Sequence, residues 1–215
     1  MNFKKEIDIA KYEFHKWRKT LIITDIIISL AVIILLAFIR PDYLVIAVFF
    51  LAIPYIILTQ RKVVLYHFLI AALVAFVWMI IANNQYSYNQ DFLKIAGINL
   101  FPLFAWAIGL FSMYIIYSYL EHLLKERGFI KKIVLFCIIF FPILIIMETF
   151  GYHTLNIHNL AASQFEGLPI CNCLHAPHWM QFAYFAMGPI FFTICYLLKL
   201  ENPHFKAKSS KKKRM

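Results

Sequence analysis

Charge is what this sequence has least of. Only 15% of its 215 residues are Asp, Glu, Lys or Arg, against 62% hydrophobic, and the mean hydropathy is +0.73. A water-soluble domain of this length needs far more charge to cover its surface. The length leaves no room for a separate soluble domain, and no low-complexity linker interrupts the chain. A small-residue cleavage site is also missing after the first apolar run. That run is therefore expected to stay in place as a signal anchor and not to leave as a signal peptide.

The charge that is present is lopsided, with a formal net value of +10. It sits in short segments between apolar runs, which is not a nucleic-acid signature. Lys206, Lys208, Lys211, Lys212, Lys213 and Arg214 form a basic tail. Beside anionic lipid headgroups each such charge is worth about 1 kcal/mol, so the tail reads as a membrane-surface flank.

The apolar residues come in runs long enough to cross a bilayer. Six spans are expected: Thr20 to Phe38, Tyr43 to Thr59, Val63 to Ala82, Ile95 to Leu120, Ile133 to Phe150 and His178 to Leu198. The predicted fold is all-α, a polytopic membrane protein in the cell membrane. A flank over 1–19, one transmembrane domain over 20–198 and a basic tail over 199–215 complete the organisation. With the N-terminus inside, 19 of the 21 Lys and Arg fall on inner segments, leaving Arg40 and Lys94 outside. Such asymmetry predicts that both ends are cytoplasmic and that the long segment from Gly151 to Pro177, without Lys or Arg, is an outer loop. Pro54, Pro102, Pro142 and Pro189 interrupt four spans, as membrane helices tolerate. Gly97, Ala105, Gly109 and Gly188 are the small residues expected at helix contacts.

Ionisable groups within a bilayer are costly, so they are the first places to look for function. Asp25 and His67 are expected near the inner ends, each paired with a carbonyl or hydroxyl. Glu148 lies at the outer end of its span, beside the long loop, and is the stronger candidate. Four of the eight histidines and two of the four cysteines fall between His153 and His178.

Three readings of that loop stand open. Cys171, Cys173, His175 and His178 carry imidazole and thiolate ligands for zinc, copper or iron, with His153 and His158 as further ligands. Alternatively, Cys171 and Cys173 close a small, strained, reducible disulfide ring, which an outer compartment permits. In the third reading the loop folds back as a lid, and Glu148, Glu166 and His153 exchange protons with an apolar substrate. Cys137 and Cys195, within spans, are packing residues. Tyr86, Tyr88, Tyr152 and Trp179 fall where an interfacial aromatic belt is expected. Positions 106, 110, 113, 114 and 117 share one helical face, for which packing is the expectation.

The stretch Trp78-Met-Ile-Ile-Ala82, then Tyr86-Ser-Tyr88-Asn89, then Ile95-Ala-Gly97 through Trp106, resembles one repeat of the membrane lycopene cyclase family. Glu148-Thr-Phe-Gly151, Glu166-Gly167-Leu168-Pro169 and Trp179 resemble a degenerate second copy, and also the related carotenoid hydratases. Where the cyclase pattern has paired glutamates, this chain has Phe101 and Pro102. The resemblance therefore implies a shared architecture and an isoprenoid-like ligand with different chemistry. On this reading Glu148 and Glu166 are the acid–base pair, His153 and His178 position groups, and Trp106, Trp179 and Tyr152 contact substrate. Membrane lipids and an apolar small molecule are the expected partners, nucleic acid is not, and homo-oligomerisation is open.

Overall fold

A computed structural model describes residues 3–124, 128–200 and 202, and the basic residues from Lys206 onward lie outside them. The chain is all-helical, with six long helices: α1 (Phe3–Leu35), α2 (Pro41–Leu58), α3 (Lys62–Ala82), α4 (Leu100–Leu120), α5 (Phe129–Thr149) and α6 (His178–Leu197). Among the described residues five stretches are long and apolar enough to cross a membrane: Pro41–Leu58, Val63–Gln85, Leu100–Leu120, Phe129–Thr154 and His178–Leu197. Large apolar side chains in mid-helix stay on the outside, among them Leu51, Ile80, Ile138 and Phe182. In water such a surface would be costly, and against lipid it is ordinary.

Helix α4 is the centre of the bundle and packs on α2, α3, α5 and α6. Its inward face is the one the spacing picked out, with Trp106, Leu110, Met113, Tyr114 and Tyr117 all buried. Helix α1 lies at the periphery against α2. It begins at Phe3, so helix runs through the segment expected to be only a flank.

Two boundaries differ from the sequence expectation for a physical reason. The fourth span starts at Leu100 rather than Ile95, because Lys94–Ile95 pairs antiparallel with Ile98–Asn99 in a short hairpin (β1, β2). Ala96 and Gly97, at φ +51° and +78°, make its turn, so Gly97 serves a two-residue reversal and not a helix contact. Asn99 then caps α4, its side-chain oxygen accepting from the Phe101 N–H at 3.1 Å. Pro102 falls in the first turn of α4, where the missing donor costs nothing, so it does not kink the helix. At the other boundary, α5 continues as a π-helical turn, Phe150–Thr154.

Of the small residues, Gly188 is the one that needs to be small. A Cβ there would lie 2.5 Å from the Phe140 ring, whereas at Gly109 nothing comes within 4 Å.

The two polar connections at the loop-bearing end pair with each other. Asn89 is the clamp: its side chain donates to the Asn156 carbonyl at 2.9 Å and accepts from the His158 N–H at 2.8 Å. Tyr88 bridges to Asn159, and the Asn159 side chain donates to the Gln85 carbonyl at 2.6 Å. At the same end Arg40 holds Asp42 at 2.8 Å and donates to the Asp91 carbonyl at 2.6 Å.

Candidate functional site

Helices α3, α4 and α6 bring an aromatic cluster together beneath the paired loops. The Trp78 indole N–H donates to the Tyr86 hydroxyl at 2.8 Å, and that of Trp106 donates to the same oxygen at 3.3 Å. A tyrosine hydroxyl has one proton and two lone pairs. With both lone pairs engaged, Tyr86 must give its proton to the Tyr184 hydroxyl, 2.7 Å away. Burial holds the Tyr86 phenol well above its ordinary pKa, so the proton stays on it. The chain of bonds therefore has a direction, and it ends on Tyr184, whose own proton has no acceptor among the described residues.

Glu148, on the last turn of α5, is the charged neighbour of this chain. It lies within electrostatic reach of Tyr86, Tyr88 and Tyr184. The residue is half-buried, and its carboxyl makes no hydrogen bond or ion pair to any described residue. The His67 Nε2 at the other end of the bundle is the buried side-chain atom left unbonded among the described residues, so the Glu148 oxygens keep some access to their surroundings. The surrounding rings are close: Trp106 to Tyr184 at 4.8 Å, Trp78 to Tyr184 at 5.7 Å and Trp78 to Trp179 at 6.0 Å between centroids. Trp179 is 47% exposed and forms the open edge of the group.

Of the predicted site residues, Glu148, Trp106 and Trp179 thus meet around one cluster. Glu166 is exposed, and its backbone carbonyl accepts from the Gln181 side chain at 2.8 Å. His153 faces the Cys171 carbonyl at 2.8 Å and ties the π-helical turn to the loop. Tyr152 is packed between His158 and His175, with centroids 4.2 and 5.0 Å away. Those two rings also face carbonyls: His158 that of Tyr152 at 3.2 Å, and His175 that of Phe165 at 2.8 Å.

Cys171 and Cys173 are joined in a disulfide, as the second reading of the loop has it. Their sulfurs are therefore not thiolate ligands here. Among the described residues no three His, Cys, Asp or Glu side chains are grouped to hold a metal ion. His178 is exposed at the start of α6. The loop is tight around the disulfide, since a Cβ on Gly167 would meet the Cys173 carbonyl at 2.8 Å and the His175 ring at 3.0 Å.

Tyr86 and Tyr184 were not legible as site residues. Tyr86 read as an interfacial tyrosine, and Tyr184 is one aromatic among many on α6. The signal available was the Trp78–Tyr86–Trp106 spacing within the stretch that resembles the cyclase repeat.

The chain matches no family model, no curated protein and no solved structure.

Proposed function

We propose that this protein is an intramembrane enzyme acting on an apolar, unsaturated lipid or isoprenoid by acid–base chemistry, with Glu148 as the acid. The observation that carries the reading is the Glu148 carboxyl, without a hydrogen-bond or ion-pair partner among the described residues, beside the Tyr86–Tyr184 chain. A carboxyl with no hydrogen bond to stabilise its anion is suited to hold a proton and deliver it. Protonation of a carbon–carbon double bond uses the π pair to form the new C–H bond and leaves a carbocation. The faces of Trp78, Trp106, Trp179 and Tyr184 suit such a cation. Loss of a neighbouring proton back to the Glu148 carboxylate would form a new double bond, and addition of water, with loss of its proton to the Glu148 carboxylate, would give an alcohol. Tyr184 supports the anion in between, because its hydroxyl proton is uncommitted.

In this reading α1 is a sixth span, and both chain ends face the cytoplasm, in accord with the Lys and Arg asymmetry. Glu148 and its aromatic cluster then sit at the outer end of the bundle in the cell membrane, with Glu166 on the exposed loop above. The resemblance of the Trp78–Trp106 stretch to the cyclase repeat agrees with an isoprenoid ligand.

The test is turnover of polyene and polyprenyl lipids by the protein reconstituted in liposomes, with Glu148→Gln alongside. The variant is expected to fold and to lose turnover by at least about 100-fold, the low end for a lost general acid. Unchanged product levels in Glu148→Gln would overturn the assignment.

A further inference from the structure

The opposite end of the bundle holds a second polar site, which has no part in the chemistry proposed for Glu148. His67 on α3 is completely buried, and its ring stacks on Tyr114 of α4 at 3.9 Å between centroids. Its Nδ1 lies 3.1 Å from the Val63 carbonyl one turn earlier. A carbonyl only accepts, so Nδ1 carries the proton and Nε2 is a bare lone pair. That Nε2 is the one buried side-chain nitrogen or oxygen among the described residues with no hydrogen-bond partner. A lone pair buried without a donor is costly, and it faces a space that can supply one.

The space is a cavity of about 40 Å³ between α3, α4, α5 and α6. One water needs roughly 10–15 Å³ on this measure, so about three waters fit and a lipid headgroup does not. Besides His67, polar side chains line it. Glu121, just past the end of α4, is buried there and accepts from Lys132 of α5 at 2.7 Å and from Asn202 at 2.6 Å. Tyr117, Phe192, Cys195, Tyr196 and Leu200 line it beside Tyr114. Among the described residues Lys132 and Glu121 are the charged groups that face it. Polar partners in the lining and room for more than one molecule are the two conditions for occupied rather than empty space.

We propose that this cavity is a hydrated site in which water donates a hydrogen bond to His67 Nε2 and links it to the Glu121–Lys132 pair.

The experiment is magic-angle-spinning NMR on the full chain in lipid bilayers, with histidine labelled in ¹³C and ¹⁵N and His67→Gln used to assign the His67 signals. Water-edited spectra are expected to show rapid magnetisation transfer from water to the His67 ring, with Nδ1 protonated and Nε2 unprotonated. Cys195→Leu, which fills the cavity, is expected to abolish that transfer while other histidines keep theirs. A His67 ring that receives no magnetisation from water, or that is protonated at Nε2 alone, overturns the proposal. Should Cys195→Leu not fold, the wild-type spectrum decides the matter by itself.

Discussion

The Arg61 guanidinium grips the Asp25 carboxylate with two nitrogens, at 2.7 and 3.1 Å, and so ties α1 to the turn between α2 and α3. The hydroxyls of Tyr55 and Tyr119 complete the carboxylate's shell at 2.6 and 2.8 Å. Both charged side chains are nearly enclosed, with 2% of Arg61 and 15% of Asp25 exposed.

Removing one partner of such a pair strands the other charge. Arg61→Ala is expected to destabilise the protein by about 3–5 kcal/mol, read as a lowered Tm of the detergent-purified protein. Arg61→Met combined with Asp25→Leu should recover much of the loss. Equal Tm for wild type and Arg61→Ala would show that the pair contributes nothing.

Two indole N–H groups share the Tyr86 hydroxyl. Tyr86→Phe leaves both without an acceptor, and each unsatisfied buried donor costs about 1–3 kcal/mol. A lower melting temperature should come with a changed tryptophan emission, because Trp78 and Trp106 lose a common partner. An unaltered spectrum would count against the hydrogen-bonded arrangement.

Helix contact at Gly188 depends on the absence of a side chain. Gly188→Ala drives a Cβ into Phe140 and should cost roughly 1–3 kcal/mol through overpacking. Gly109→Ala, with free space around it, should leave the protein unchanged or slightly more stable. Thermal melting of the two variants side by side distinguishes a real α5–α6 contact from a general intolerance of alanine.

The disulfide and the metal reading of the loop make opposite forecasts. Alkylation of the unfolded, unreduced protein should leave Cys171 and Cys173 unmodified, and reduction should add two labels, found on one loop peptide. If the purified protein instead carries stoichiometric zinc, copper or iron that Cys171→Ser removes, the loop is a metal centre and the disulfide assignment fails.

Legibility in the sequence followed locality. The face of α4 through Trp106, Leu110, Met113, Tyr114 and Tyr117 could be drawn in advance, since helical spacing alone assigns it. The carbonyl partner of His67 sits one turn away on the same helix, and it too was within reach. Arg61 was another matter: a basic residue in a turn reads as solvated, and its burial depends on Asp25, which lies 36 residues earlier. Gly97 looked like a helix-contact glycine because the apolar run passes through it, yet paired hairpin strands took those residues out of the helix. The loop cysteines left ligand and disulfide open, since both need only proximity.

What the sequence by itself determined is the all-helical class, the apolar stretches and their approximate ends. Those properties are sums over neighbouring residues, and an apolar run of bilayer length has few alternatives. Only the tertiary structure decided which polar groups meet. Tyr86 and Tyr184 are 98 residues apart, and Tyr119 and Asp25 are 94 apart. Such pairs form when packing against α4 sets the height and rotation of each helix, and no local pattern encodes that. Glu148, by contrast, could be singled out from its position alone, as an acid at the outer end of its span beside the long loop. That it has no bond among the described residues and lies beside the Tyr86–Tyr184 chain emerges from the assembled bundle.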